Sequence, residues 1–160
     1  MNTEKLKGLA VVSQDEGAKL GQVDTALFDP VNLDLRAFQV TGEGQTFLVP
    51  FDQVAAFGTD AIMVRSSQVT QAMAEGGALG QLVDLGTLTK LKVVDAAGTM
   101  IGTVRDVELD DASGRAVRLV VHKGGMLGFG GETTTIDITA VRGVGTEVIT
   151  VDAVGATPTA

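Results

Sequence analysis

Three acidic side chains alternate along one stretch of the sequence and form its clearest pattern for metal chemistry. Asp106, Glu108 and Asp110 stand at every second position, so a β-strand would place their carboxylates on one face. Hard cations such as Ca²⁺ and Mg²⁺ prefer oxygen ligands of this kind. The glycine and the final acid that a calcium-binding loop requires are missing at the corresponding positions. We therefore favour the alternative, a solvated acidic face with Val107 and Leu109 turned inward.

The single histidine, His122, is the residue best suited to general-base chemistry. The chain has no cysteine, and a serine nucleophile would need a base within hydrogen-bonding reach. Only Ser113 shares a structural unit with His122, and no serine lies in a G-x-S-x-G motif. We interpret His122 as an exposed imidazole at the end of a strand, and we predict a protein that is not an enzyme and has no cofactor.

A glycine-rich loop, GGMLGFGG, spans residues 124–131 and offers many backbone amides for binding a phosphate. It lacks the G-K-[S/T] ending of a P-loop and leads into a strand rather than a helix, so we interpret it as a tight turn. Met126, Leu127 and Phe129 nevertheless lie in this loop. Because exposed apolar residues either fold back or meet a partner, we predict that these three contact the other half of the chain or a partner protein.

The composition describes an acidic protein of 160 residues with a net charge of −8. Residues 1–80 carry 10 acids and 5 bases, and residues 81–160 carry 10 acids and 7 bases, so neither half offers a basic surface to a phosphate backbone. Direct binding of nucleic acid is therefore not expected. The absence of cysteine, of a signal-peptide core and of any apolar run of transmembrane length predicts a cytoplasmic protein without a transmembrane segment.

The strand and turn signals occur twice in the chain. The segment 17–21, GAKLG, matches 98–102, GTMIG, at an offset of 81 residues (98 − 17). After the glycine-rich loop the offset becomes 87 residues, as in the match of Val49 with Ile136 (136 − 49), so the second copy has six extra residues there. Each copy has about five short strand signals separated by turns, which is typical of a small β-barrel. We predict one β module that has been duplicated.

The segment between the copies contains apolar residues at helical spacing. Val69, Ala72 and Met73 predict a short helix that the glycines at 76 and 77 would end. Further along, Leu79, Leu82, Val83 and Leu85 predict that the segment packs on a barrel. In the first copy we predict strands over 6–12, 19–28, 36–40, 47–50 and 61–65, and a helical turn over 51–54. The predicted organisation is repeat 1 over 1–67, a linker over 68–86, repeat 2 over 87–153 and a frayed tail over 154–160.

Three short motifs resemble the PRC-barrel family. They are [LI]-G-x-V at 20–23 and 101–104, D-x-x-x-G-R at 110–115 before the apolar strand 119–121, and G-G-x-L-G-x-G at 124–130 before a strand and one helical turn. Val49-Pro50-Phe51 also resembles the V-P-aromatic step of the family. The second copy has Asp137 where that proline is usual, which we expect to alter the local turn more than the fold.

The resemblance implies a mainly β fold of two small PRC-type barrels in tandem, joined by a short, partly helical linker. It also implies docking on other macromolecules rather than catalysis. The family includes the cytoplasmic part of the photosynthetic reaction-centre H subunit, the C-terminal half of a ribosome maturation factor and many small bacterial and archaeal proteins. This sequence shows neither the membrane helix of the first nor the separate N-terminal domain of the second, so we expect neither specific role.

From the resemblance we predict a prokaryotic, non-catalytic adaptor that binds an unidentified protein partner. We also predict a homodimer, because short sheets with open edges can exchange strands. One alternative is a factor in RNA metabolism or ribosome assembly that docks through a ribosomal protein. Another is a metal-binding regulatory protein that uses the face formed by Asp106, Glu108 and Asp110.

Overall fold

The computed structural model describes residues 2–73, 81–124 and 131–152. The described part is mainly β and forms two sheets, one for each predicted repeat, of which one curls into a half-barrel. The tandem β architecture predicted from the sequence is therefore confirmed.

Repeat 1 forms most of the first sheet. Its strands are β1 (Ala10–Ser13), β2 (Ala18–Phe28), β3 (Leu35–Gly42), β4 (Gln45–Pro50), β5 (Val54–Phe57) and β6 (Ala61–Val64). They pair in the order β5-β6-β1-β2-β3-β4, in which only β6 and β1 are parallel. A 3₁₀ turn, Phe51–Gln53, joins the two outer strands of this order. The predicted start of the first strand at Leu6 is wrong, because Thr3–Leu6 forms another 3₁₀ turn.

The segment between the repeats adds two short strands to the same sheet. They are β7 (Gln71–Ala72), which pairs with β4, and β8 (Val83–Asp84), which pairs with β2. The predicted helix at Val69, Ala72 and Met73 is wrong: Ser67–Val69 forms one 3₁₀ turn, and the chain then extends to pair with β4. The helical turn lies instead at α1 (Leu85–Leu88).

Packing of this segment on repeat 1 is confirmed for the residues that the structure describes. Leu82 packs against a small cluster of Leu27, Ala37 and Leu48, and β8 extends the backbone pairing of β2. Leu79 lies outside the described residues.

Repeat 2 reproduces the topology of repeat 1. Its strands are β9 (Lys92–Asp95), β10 (Met100–Leu109), β11 (Ala116–Gly124), β12 (Gly131–Asp137), β13 (Val141–Val144) and β14 (Val148–Val151). Their order is β12-β11-β10-β9-β14-β13, and β14 and β9 form the parallel pair. Each strand therefore occupies the place of its counterpart in repeat 1, as the duplicated sequence predicts.

The position of the family's usual proline shows how closely the copies agree. Pro50 has φ −61° and ψ 142°, and Asp137 has φ −61° and ψ 139°. Asp137 also accepts a hydrogen bond from the Thr139 amide at 2.9 Å, which caps the following 3₁₀ turn. The expected change in the local turn is therefore wrong, because a side-chain cap stabilises the same backbone that proline restricts by its ring.

The two repeats share one hydrophobic core. Alternating apolar residues on the strands of each sheet turn inward, and most of the buried side chains of both sheets form one connected cluster, apart from the small cluster of Leu27, Ala37 and Leu48. Its completely buried members include Val11, Phe38, Ile62, Val93, Leu119 and Ile149. Neither repeat therefore completes its core alone.

The segment before the first strand of each repeat packs on the long second strand of the other repeat. Asn2 forms a β-bridge with Glu108 of β10, and the Thr3 amide and hydroxyl both donate to the buried carboxylate of Asp106. In the opposite direction, Asp84 of β8 pairs with Leu27 of β2. Asn2 and Asp84 are equivalent residues of the two repeats. They are 82 positions apart, which is the offset (92 − 10) that relates the first strands β1 and β9. The contacts are reciprocal, as they are in a two-fold dimer.

The loops between the second and third strands make another reciprocal contact. The Leu35 amide donates to the Gly114 carbonyl oxygen at 2.8 Å, and the Ala116 amide donates to the Asp34 carboxylate at 2.9 Å. These loops hold the two repeats together at the boundary where the groove described next is formed.

Candidate docking groove between the repeats

A groove of about 680 Å³ opens at the boundary between the repeats. Apolar side chains of repeat 1 and the following segment line part of it, namely Leu35, Pro50, Phe51 and Leu82. Charged side chains from both repeats line the rest, namely Asp29, Asp34, Arg36, Asp52 and Arg115. The groove exists only because the two loops that join second and third strands meet there.

Phe51 gives the apolar side of the groove a fixed shape. Its ring stacks on Phe57 with ring centroids 5.6 Å apart, and Phe57 meets Phe38 edge to face at 5.8 Å. Gly114 of repeat 2 lies against the same ring, since a Cβ atom there would be 2.8 Å from Phe51 Cε2. Phe51 is therefore held from two directions while it remains half-buried and lines the groove.

Hydrogen bonds fix two carboxylates of the groove. Asp29 accepts from the Val31 amide at 2.8 Å, which is the main reason why its pKa is lowered, and its other oxygen lies 3.5 Å from Arg36. The Arg36 side chain is 56% exposed, so this ion pair is screened by water and contributes little stability. Asp34 accepts from the backbone of repeat 2, as described above. Both carboxylates therefore shape the loops at the boundary.

The remaining charges of the groove are available to a ligand. Asp52 and Arg115 are exposed, and neither forms an ion pair with another residue in 2–73, 81–124 or 131–152. The D-x-x-x-G-R motif that ends at Arg115 was noted in the sequence as a family motif. Its place beside Phe51 of the other repeat could not be predicted, because the contact depends on how the repeats pack.

The three alternating acids do not form one solvated face. Asp106 is 4% exposed and binds Thr3, Glu108 accepts from Arg118 Nε at 2.6 Å, and Asp110 accepts from the Ser113 hydroxyl at 2.6 Å. The Ser113 hydrogen bonds lower the pKa of Asp110.

Asp106 and Glu108 keep the predicted alternation, but the prediction of a solvated acidic face is wrong because Asp106 is buried against Thr3. A register shift in β10 between Glu108 and Leu109 separates Asp110 from this alternation. Val107 and Leu109 are buried as predicted. Within the residues that the structure describes, no three His, Cys, Asp or Glu side chains lie close enough to hold a metal ion.

The remaining sequence candidates fall in different places. Ser113 precedes β11 and His122 lies near its other end, about 20 Å away at the rise of an extended strand, so the structure does not bring them together. His122 is only partly exposed, and its Nδ1 atom is buried. Met126, Leu127 and Phe129 lie outside the described residues.

No helix in the described ranges is long and apolar enough to cross a membrane.

Comparison with known families agrees with the duplicated topology. The model of the PRC-barrel domain matches residues 1–71 and, a second time, residues 82–157. A search of the curated proteins gave no match. The two matches cover most of the chain, and each contains one of the two topologically equivalent sets of strands. This chain therefore belongs to the PRC-barrel family, with two copies of the domain in tandem.

Proposed function

We propose that the protein is a non-catalytic interaction module that holds a segment of a partner protein in the groove between its repeats. The observation that carries this proposal is the composition of the groove, in which a fixed aromatic ring lies beside exposed charges of both signs. Protein–protein interfaces commonly combine a buried aromatic or aliphatic anchor with a polar rim.

The groove side chains define the chemistry of the partner segment. Phe51 and Leu82 are half-buried and can contact one apolar side chain of the partner. Asp52 and Arg115 can pair with a basic and an acidic residue that flank it. Electrostatic pairs of this kind mainly determine which partner binds and how fast. We therefore expect a segment with an apolar anchor between charges of opposite sign.

Photo-crosslinking in the native cell tests the proposal. A photoreactive amino acid in place of the exposed Asp52 should capture a specific protein, whereas the same group at Glu43, in the turn between β3 and β4, should not. Arg115→Glu should reduce the capture from position 52, and Lys19→Glu, in the exposed first part of β2, should leave it unchanged.

The identity of the captured protein decides between the alternatives. A ribosomal protein would favour a role in RNA metabolism or ribosome assembly, and another copy of this chain would favour the predicted homodimer. Equal capture from positions 52 and 43, or no capture together with turnover of a small molecule, would contradict the interaction role.

We also propose the homodimer independently of the groove, because the open edges of short sheets can pair with another chain. Light scattering at micromolar concentration should give twice the chain mass of 16.4 kDa. A single chain mass would contradict it.

A further inference from the structure

A second pocket, of about 410 Å³, opens on the sheet of repeat 2 and is lined by hydrogen-bond donors and a cation. Thr103 and His122 are direct cross-strand neighbours in β10 and β11, and Lys92 of β9 lies opposite Thr103 on its other side. Directly paired residues share one face of a sheet. Arg105, which is left unpaired by the bulge in β10, lines the same pocket. Three side chains that can donate to an anion therefore line the pocket, and Lys92 lies beside Thr103 on the same face.

The donors of this pocket lack partners. His122 Nδ1 is buried and has no hydrogen-bond partner within the described part of the protein. A buried polar atom without a partner is uncommon and calls for an explanation, such as a ligand. Arg105 is exposed and forms no ion pair with another described residue, and neither does Lys92.

The strand geometry fixes His122 in the pocket. A Cβ atom at Gly102 would lie 2.6 Å from the His122 carbonyl oxygen, so only glycine permits this approach of the two strands. The acidic residue of the adjoining strand, Glu132, pairs with Lys123. It therefore faces the opposite side of the sheet from His122, since successive residues alternate.

Repeat 1 shows what occupies the equivalent position. The places of Arg105 and His122 are held there by Asp24 and Thr41, both at the offset of 81 residues (105 − 24 and 122 − 41). The Thr41 hydroxyl donates to the Asp24 carboxylate, so the bulge residue supplies a carboxylate that its neighbour on the next strand binds. Repeat 2 keeps the bulge but replaces the carboxylate by a guanidinium and the hydroxyl by an imidazole.

We propose that repeat 2 binds the carboxylate of a ligand in this pocket. The Arg105 guanidinium donates to its oxygens beside the ring of His122, and Thr103 and Lys92 add a hydroxyl donor and a positive charge on the same face. Hydrogen bonds between a guanidinium and a carboxylate are among the strongest that proteins form. The carboxylate belongs either to a small organic acid or to an acidic side chain of another protein. The site does not depend on the groove or on the interaction role proposed above.

The test is a titration of the protein with succinate, in which the ¹H–¹⁵N NMR signals of Arg105, His122 and the histidine ring are monitored. We expect saturable shifts at these groups. Arg105→Ala should weaken binding at least tenfold, whereas Lys19→Ala should have no effect. The double variant Arg105→Asp, His122→Thr recreates the pair of repeat 1, so it should remain folded and lose binding.

Two further ligands complete the experiment. A blocked peptide rich in aspartate and glutamate distinguishes the sources: tighter binding than succinate assigns the carboxylate to a protein, and equal or weaker binding assigns it to a small acid. Saturation by inorganic phosphate but not by succinate would overturn the assignment to a carboxylate. Linear shifts with both succinate and the peptide, or an unchanged affinity in Arg105→Ala, would overturn the site.

Discussion

Replacing Gly114 by alanine should destabilise the protein more than the same change at Gly98, and the difference measures the contact between the repeats. Both glycines lie at positive φ, 70° for Gly114 and 85° for Gly98. The left-handed conformation costs alanine about 1–2 kcal/mol. Part of this cost, about 0.4–1 kcal/mol, is offset by the lower entropy of the unfolded chain. A loss of about 1 kcal/mol is therefore expected at both positions from the backbone alone.

The surroundings of the two glycines differ. No atom lies within 4 Å of a Cβ at Gly98, whereas a Cβ at Gly114 would lie 2.8 Å from the Phe51 ring, which is itself held by Phe57. Forcing an extra carbon into a packed site costs about 1–3 kcal/mol. Gly114→Ala should therefore lower the free energy of unfolding by about 2–4 kcal/mol in total. For a chain of this size that corresponds to a fall in melting temperature of about 6–12 °C, against about 3 °C for Gly98→Ala.

Urea unfolding followed by far-UV circular dichroism is the suitable assay, because the chain has no tryptophan or tyrosine. Phe51→Ala supplies the control, because with the ring removed Gly114→Ala should cost no more than Gly98→Ala. The extra cost in the wild-type background is then the coupling energy of a double-mutant cycle. Equal losses from the two glycine variants with Phe51 present would refute the packing argument.

Two further variants test contacts described above. Asp106→Ala should lower the free energy of unfolding by about 3 kcal/mol, because it leaves the Thr3 donors without their buried acceptor. Thr25→Ala, at the equivalent place in repeat 1, should cost less than about 1 kcal/mol in the same urea assay, and equal effects would contradict the role of the Thr3–Asp106 hydrogen bonds. Hydrogen bonds from Ser13, and to a smaller extent from Ser67, lower the pKa of Glu16 below 4.5 in the folded protein. The ionised Glu16 side chain therefore stabilises the fold above pH 4.5, and this contribution is lost as the pH falls through the folded pKa. The melting temperature of Glu16→Gln should therefore fall less on acidification than that of the control variant Glu43→Gln. If the melting temperatures of both variants depend on pH in the same way, the hydrogen bonds of Glu16 do not contribute to stability.

The topology could be predicted from the sequence because repeated glycines and apolar residues mark the same turns and strands twice. Local geometry was predicted less well. β5 was missed because its central residues, Ala55 and Ala56, are both exposed and show no alternation. The helix predicted at Val69, Ala72 and Met73 had suitable spacing, but the backbone of β7 gains more by pairing with β4.

The candidate sites were harder to predict because they depend on contacts between distant residues. The alternation of Asp106, Glu108 and Asp110 suggested a solvated face, but the N-terminal segment of repeat 1 covers Asp106. His122 was expected to be exposed. Its Nδ1 atom is instead buried, which depends on contacts across the sheet that the sequence pattern does not specify.

The reciprocal contacts also determine which repeats can pair. On one side of the pseudo-two-fold axis the ring of Phe51 faces Gly114, and on the other side the equivalent positions are held by Ile138 and Leu33. Two first repeats from different molecules would place Phe51 against Leu33, a larger side chain than the glycine that the ring meets in this chain. Unlike copies therefore match in size at this contact, whereas two first repeats would crowd and two second repeats would leave Ile138 beside a glycine. An assembly in which molecules exchange repeats would therefore join the first repeat of one molecule to the second repeat of another.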